Sequence, residues 1–263
     1  MNNLHPAEKY AHISFDDCVF WKDLIENEES YPSVFDNAFL SDLKEIHGQT
    51  DAVFTLNCFN ACDGVRISDV PSKFRPEFSE NKSWLKFSFH AEDSRTHYDT
   101  DRAEEIARSY DTFIAAMHRM TGTTECIDRV VRLGFFSGTQ NNVRAIRDCD
   151  CGILGLLTAD DDRISYYFDK QLNDYMSGHA KTFDAANHLT LIKSRTRLES
   201  VDDVEQWAEN FNTVSYANMS DYLEFFTHEC HWGAGMKSKV SALCSWCKNN
   251  GYVFGYMQDI LGL

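Results

Sequence analysis

Apolar runs of strand length recur along the chain, and helical stretches separate them. Alternation of this kind is typical of α/β proteins, in which helices connect the parallel strands of a sheet or barrel. Seven such runs in a chain of 263 residues favour a distorted (β/α) barrel of about seven parallel strands over a doubly wound sheet. The predicted strands are Ala11–Phe15, Ala52–Asn57, Trp84–Phe89, Val130–Phe136, Ile153–Thr158, His188–Ile192 and Tyr222–Thr227.

Two helices are predicted with clear ends. Between Asp101 and Met120 apolar residues recur at steps of three and four, residues 99–101 offer capping groups, and Gly122 lies just past the end. A second helix is predicted over Lys237–Lys248. No internal repeat, low-complexity tract or linker rich in proline and serine divides the sequence. Residues 1–263 are therefore predicted to form a single domain.

Composition argues against several classes of partner. The formal charge is −16 and the pI is near 4.9, so the chain lacks the clustered basic surface that nucleic acids or anionic membranes require. The segment Met1–Tyr10 is polar, and no stretch approaches the ~18 apolar residues of a membrane span, which predicts a cytoplasmic protein. The sequence leaves the oligomeric state open.

The cysteines fit the same compartment. Nine cysteines, an odd number scattered through the chain, indicate reduced thiols rather than a disulfide framework. Cys244 and Cys247 invite a zinc or redox hypothesis, but they lie in a predicted helix beside apolar residues. Thiols in such positions behave as small hydrophobic groups.

Two adjacent carboxylates, Asp16 and Asp17, follow the first predicted strand. Polar residues at the C-terminal ends of barrel strands tend to be catalytic. Neighbouring residues of an extended chain point to opposite sides, but a turn here can bring both carboxylates into one cavity. One could then bind a metal while the other handles a proton. The alternative is that they cap a helix over Cys18–Ile25.

His90 ends the strand Trp84–Phe89 and is followed by Glu92, Asp93 and His97. Imidazole and carboxylate groups are common zinc ligands, and an open catalytic site needs three protein ligands. His90 and His97 can share one ion only if the segment between them loops back. If it does not, His97 is a solvated loop histidine and Glu92 or Asp93 is the next candidate ligand.

His228 follows the late strand Tyr222–Thr227. A histidine with an ordinary pKa near 6.5 suits proton transfer at neutral pH. The alternative is a partly buried histidine that is bonded to the backbone. His231, three residues further on, can offer a second donor on the same side.

Taken in order, these segments resemble the polysaccharide deacetylase superfamily, carbohydrate esterase family 4. Residues 14–17, Ser-Phe-Asp-Asp, match its opening T/S-F-D-D signature, and the strand into His90 matches the strand of its metal-binding histidine pair. Arg132–Gly138 is similar to its third, Arg-Pro-rich motif, and Thr227-His228 matches its closing L-x-x-H signature. The resemblance covers about residues 11–260.

The resemblance implies a barrel of the glycoside hydrolase/deacetylase type and a set of roles. Asp16 would be the general base, His228 the general acid, and Arg132 would orient the base. Asp17 and His90 would be metal ligands, together with His97 as the next histidine along the chain. The family pair is H-x-x-x-H, and in this sequence the fourth residue after His90 is a serine.

The implied activity is that of a metal-dependent hydrolase that deacetylates an N- or O-acetylated sugar or a related small amide. The expected cofactor is a divalent transition metal, with zinc first and cobalt, nickel, iron or manganese as alternatives. The competing hypothesis is an inactive fold that serves as a carbohydrate- or protein-binding module.

Overall fold

The computed structural model describes residues 9–211 and 222–263. Most of the polar N-terminal segment, residues 1–8, therefore lies outside the described residues. Within the described stretches twelve strands form: β1 (Lys9–Cys18), β2 (Phe54–Phe59), β3 (Ala61–Cys62), β4 (Val65–Arg66), β5 (Leu85–Ala91), β6 (Val130–Val131), β7 (Gly155–Thr158), β8 (Lys181–Asp184), β9 (Leu189–Lys193), β10 (Thr196–Arg197), β11 (Tyr222–His228) and β12 (Tyr252–Phe254). The helices of the same stretches are α1 (Phe20–Glu26), α2 (Ala38–Thr50), α3 (Arg75–Glu80), α4 (Ala103–Thr121), α5 (Gln140–Arg147), α6 (Lys170–Gly178), α7 (Val204–Phe211), α8 (Ala234–Asn249) and α9 (Met257–Leu261).

The strands form two main sheets with helices on the connections. One sheet has the order β10-β11-β1-β2-β5, with β12 also paired to β1, and all of its pairs are parallel. The other has the order β6-β7-β9-β8, in which only β8 is antiparallel. A parallel bridge between Phe87 and Ile127 links β5 to the segment before β6, and β9 ends just before β10 begins. The predicted α/β class with parallel strands is confirmed, and this strand order is consistent with a distorted barrel.

The two faces of strand β1 have different roles, one in the hydrophobic core and one in the polar interior. Phe15 packs edge-on against Phe39 of α2 and against Trp232, with ring centroids 5.2 and 5.4 Å away. Each fully buried ring of this kind contributes about 1.5–3 kcal/mol to stability. Ser14 and Asp16 point to the opposite face, because successive strand residues alternate. The apolar face thus packs under the helices, and the polar face lines the interior.

The predicted helices form with shifted ends. α4 covers Ala103–Thr121, where the prediction was Asp101–Met120, and it ends at Gly122 in the left-handed conformation with φ 77°. Residues 99–101 do not cap the helix as predicted. The helix starts after Arg102, and no side chain caps its first turn. α8 contains Lys237–Lys248 and buries Cys244 and Cys247, so these thiols belong to the core. None of the helices among the described residues combines the length and the apolarity needed to cross a bilayer.

The predicted strand Val130–Phe136 is wrong beyond its first two residues. β6 ends at Val131, and Gly134–Phe136 form a short 3-10 turn. Phe135 and Phe136 have φ of 57° and 54°, values that bulky residues rarely adopt and that a strand does not contain. The apolar pattern of this segment does not indicate the turn, because a strand and a packed turn can both be built from buried apolar residues.

Candidate active site

One cavity lies at the C-terminal ends of the parallel strands β1, β5 and β11. Its volume is ≈ 270 Å³. Five of the six predicted site residues line it: Asp16, Asp17, His90, Arg132 and His228. These residues are up to 212 positions apart in sequence, and the shared direction of the strands brings them to one place.

The end of β1 departs from a regular strand. Its pairing with β2 is regular through Phe15 and resumes at Cys18, with a register shift between them. Asp17 lies in the left-handed region with φ 57°, which a residue other than glycine seldom adopts. This irregularity lets Asp16 and Asp17 line the same cavity, although neighbours in a regular strand point to opposite faces.

The alternative role of the two aspartates as helix caps is wrong. The start of α1 is held instead by Glu229, whose Oε2 accepts hydrogen bonds from the backbone N–H groups of Val19 at 2.6 Å and Phe20 at 3.0 Å. Burial raises the pKa of Glu229 to about 7, against the lowering effect of these two bonds. The carboxylate therefore ties the end of β11 to the end of β1.

Asp17 and His90 form an adjacent donor pair. His90 Nδ1 lies 2.5 Å from the carbonyl oxygen of Arg132, so this nitrogen must donate, and Nε2 of a neutral ring presents its lone pair. Nε2 lies 3.1 Å from Asp17 Oδ1. Burial raises the pKa of Asp17. When His90 is protonated, however, the hydrogen bond that Nε2 then donates and the charge of the ring, with those of the nearby histidines, outweigh burial and lower the pKa of Asp17.

This pair fits two ligand positions of a divalent transition metal. Bonds of about 2.0–2.2 Å place two ligands of one ion roughly 2.8–3.6 Å apart, from octahedral to tetrahedral angles. Asp17 Oδ1 and His90 Nε2, 3.1 Å apart, lie within this range. The hydrogen bond from His90 Nδ1 to a backbone carbonyl is the usual support for a ligand histidine. Such an ion would therefore be held by Asp17 and His90.

The structure does not bring His97 to this pair. His97 is exposed and stacks on Phe135, with ring centroids 3.8 Å apart. The segment after His90 returns to the cavity at Ser94 and not at His97, and its two carboxylates are bonded elsewhere. Glu92 accepts hydrogen bonds from Asn60, Ser109 and Arg66, and Asp93 accepts from the backbone of Arg95 and the hydroxyl of Thr96.

Ser94 stands at the position of the missing histidine. It is the fourth residue after His90, and it lines the cavity together with Asp17 and His90. Its hydroxyl offers an oxygen where the family pattern has an imidazole. The cavity therefore has two strong donors and one weaker one at the positions that the resemblance assigns to the metal.

Asp16 sits in a buried polar network centred on Arg132. The Nη1 atom of Arg132 donates to Asp16 Oδ1 and to Ser14 Oγ, both at 2.9 Å, and Nη2 donates to Glu224 Oε1 at 2.5 Å. Asn57 donates to the same Asp16 oxygen at 2.7 Å. Asp16 is thereby fixed in orientation at the cavity wall.

Glu224 is a site residue that the sequence reasoning missed. It lies in the middle of β11 and is fully buried against Arg132. Glutamates are almost never fully buried unless they are paired in this way. The sequence did contain an indication of this role. A glutamate within the apolar run Tyr-Leu-Glu-Phe-Phe is buried with the strand and requires a buried cation. Arg132 therefore serves two carboxylates with one positive charge.

The free energy of unfolding should fall between about pH 5 and pH 8 because of Glu224. Burial raises the pKa of Glu224 to about 7 from the ordinary 4.5, against the lowering effects of Arg132 and the Arg195 backbone. A folded-state pKa above the unfolded one contributes stability that is complete below about pH 4.5 and is lost as the pH rises through 7. Between about pH 5 and pH 8 the free energy of unfolding of the wild type should fall relative to Glu224→Gln, measured by urea unfolding.

The exposed Glu104→Gln variant on α4 is the matched control, and its unfolding profile should follow the wild type. Parallel pH profiles for the wild type and Glu224→Gln would show that Glu224 does not titrate in this range.

His228 is oriented by a second missed residue, Glu199. The Oε1 atom of Glu199 accepts from His228 Nδ1 at 2.7 Å, from the His228 backbone at 2.9 Å and from Thr227 Oγ1 at 2.8 Å. Burial lowers the pKa of His228, but the bond to Glu199 and the charges of Asp16 and Glu199 outweigh it and raise the pKa. Glu199 lies in a short turn without strand or helix pattern, so the sequence held no signal for it.

Comparisons with known proteins agree with this fold. No protein-family model matches the sequence, and no curated protein matches it significantly. Solved structures do match over nearly the whole chain. A family 4 acetyl xylan esterase from Clostridium thermocellum, in complex with a cobalt ion, has a TM-score of 0.55 at 12% identity, covering 97% of this chain and 91% of its own.

Two further structures give the same result. The Xyl-CE4 domain of a multidomain xylanase from the hindgut metagenome of Trinervitermes trinervoides has a TM-score of 0.52 at 13% identity, covering 97% of this chain and 90% of its own. T48 deacetylase with substrate has a TM-score of 0.52 at 11% identity, with coverages of 97% and 92%. The chain therefore has the fold of the carbohydrate esterase family 4 deacetylases and esterases.

Proposed function

We propose that the protein is a metal-dependent deacetylase that hydrolyses an N- or O-acetylated sugar or a related small amide. The observation that carries the proposal is the convergence of three kinds of group on one cavity. These are a metal-binding pair, Asp17 and His90, a buried carboxylate, Asp16, and a carboxylate-bonded histidine, His228. This set would hold a cation and supplies a base and an acid, the groups that metal-assisted hydrolysis of an amide or ester uses.

Asp16 is proposed to be the general base. Arg132 and Asn57 hold its Oδ1 atom, which fixes the carboxylate at the cavity wall beside the Asp17–His90 pair. A divalent cation at that pair, zinc in the first instance, would supply a Lewis acid and make water more acidic. Asp16 takes the proton of the attacking water.

His228 is proposed to be the general acid. Its Nδ1 atom is bonded to Glu199, so Nε2 is the nitrogen available to the cavity. The raised pKa means that the ring holds a proton more readily than an ordinary histidine. It gives that proton to the departing amine or alcohol.

We propose a small substrate. The cavity volume of ≈ 270 Å³ lies just below the roughly 300–1,000 Å³ that small-molecule sites occupy. A soluble acetamido sugar in the cytoplasm fits this size. Equal or faster turnover on polymeric chitin than on short oligomers would contradict the proposal.

Asp17→Ala tests the metal requirement. We expect the purified wild type to contain a transition metal by elemental analysis, and the variant to lose both the metal and acetate release. Asp17→Ala removes one of the two strong donors, so the remaining imidazole alone holds an ion weakly. The exposed Asp99→Ala variant should keep its metal content and its activity.

Ser94, which stands where the family pattern has a second histidine, is the observation behind one second candidate, a carbohydrate- or protein-binding module without a catalytic metal. A metal-free wild type that binds glycan and releases no acetate would support this candidate and overturn the deacetylase proposal.

A further inference from the structure

A second group of metal-binding side chains lies beside the cavity. Glu199, His228 and His231 each present a ligand atom, and these atoms all lie within 4.8 Å of one another. Glu199 comes from the turn before α7, His228 from the end of β11 and His231 from the turn that follows. Two histidines and a glutamate form a known zinc ligand set.

Glu199 has an oxygen available for a ligand. Its Oε1 atom accepts three hydrogen bonds, from Thr227 and from the backbone and ring of His228. Its Oε2 atom is buried and accepts no hydrogen bond from the residues that the structure describes. A buried carboxylate oxygen without a partner is costly, and a bound cation would satisfy it.

The spacing requires only a small movement. Ligands of one ion lie roughly 2.8–3.6 Å apart, less than the 4.8 Å within which the atoms of this group lie. His231 is exposed, and its ring stands 5.8 Å from the ring of His228. Rotation of this surface side chain can close the gap without moving β11. The negative charges of Asp16 and Asp17, which act on His228, also favour a cation here.

We propose that Glu199, His228 and His231 form a second site for a divalent transition metal, separate from the Asp17–His90 pair. Because an ion there uses His228, its binding competes with proton donation by that residue. The binding proposal stands on the geometry alone, while its effect on rate rests on the proposed function. Excess metal is therefore expected to inhibit the enzyme.

Metal titration of the full chain tests the site directly. Metal-depleted protein is titrated with Zn²⁺ in a calorimeter and with Co²⁺ by visible absorption. We expect two ions per wild-type chain and one per chain for both His231→Ala and His90→Ala. Loss of a direct ligand should weaken the second site by more than the about 10–100-fold that loss of a supporting partner costs. His118→Ala, an exposed histidine of α4, should still bind two ions.

Two binding results would overturn the proposal. One is a His231→Ala variant that binds as many ions as the wild type with the same affinity. The other is a single ion in the wild type that both His231→Ala and His90→Ala lose, since one shared site would then span both groups.

The rate measurement is separate. The ratio of acetate release at excess Zn²⁺ to that at stoichiometric Zn²⁺ should be low for the wild type and close to one for His231→Ala. Equal ratios would overturn the inhibitory role. If neither the wild type nor His231→Ala releases acetate, the proposed function fails. The binding titration still decides whether the second site exists.

Discussion

Replacing Asp16 with asparagine is expected to reduce the turnover number for acetate release about 10²–10⁴-fold, the usual contribution of a general base. Asparagine has nearly the same shape and keeps an oxygen toward Arg132 and Asn57. It cannot take a proton from water. The loss should therefore appear in the rate of the chemical step, with a much smaller change in the Michaelis constant.

The control is Asp99→Asn, the same substitution at an exposed loop position, which should match the wild type in rate. Circular dichroism and thermal unfolding establish that the Asp16 variant is folded. Equal acetate release by the wild type and the folded Asp16→Asn variant would exclude Asp16 as the base.

Replacing Arg132 with methionine is expected to lower the free energy of unfolding by about 3–5 kcal/mol. Arg132 is fully buried and bonded to both Asp16 and Glu224, which are themselves buried. Methionine fills much of the same space but leaves the two carboxylates without a cation in an environment that excludes water. Urea unfolding at neutral pH measures the change.

Arg163→Met is the matched control, because Arg163 pairs with Asp161 at 2.7 Å on the surface, where both side chains are nearly half exposed. Such exposed pairs contribute about 0–1 kcal/mol. Adding Glu224→Gln to Arg132→Met should restore part of the lost stability, since one buried charge is removed. A loss in Arg132→Met no larger than in Arg163→Met would mean that the buried network does not hold the fold.

Much of the fold was accessible from the sequence, because its regular elements bury one face. The predicted strands other than Val130–Phe136 correspond to strands of the structure, and the 3.6-residue period located α4. The failure at Phe135 and Phe136 has a physical cause. Their φ values are positive, and neither hydrophobicity nor residue type records a backbone conformation that tertiary packing imposes.

The candidate site could be predicted from the sequence where its residues lie at the ends of strands. Asp16, Asp17, His90 and His228 were selected from the sequence as strand-end residues, and they line one cavity because the last residues of parallel strands lie at one edge of the sheet. Glu199 was not found, because it reaches His228 from a turn without periodicity. His97 does not join the pair. The sequence did not indicate this, because Glu92, two residues after His90, is bonded to side chains that are distant in sequence.

The position of β1 between β2 and β11 has a consequence for how the chain is made. β1 precedes its partners in the chain: seven of its residues pair with β11 and three with β12, which are synthesised more than 200 residues later. On the ribosome this edge of β1 stays unpaired until β11 and β12 have emerged. Contacts this distant in sequence slow folding and leave a strand exposed to wrong partners in the meantime.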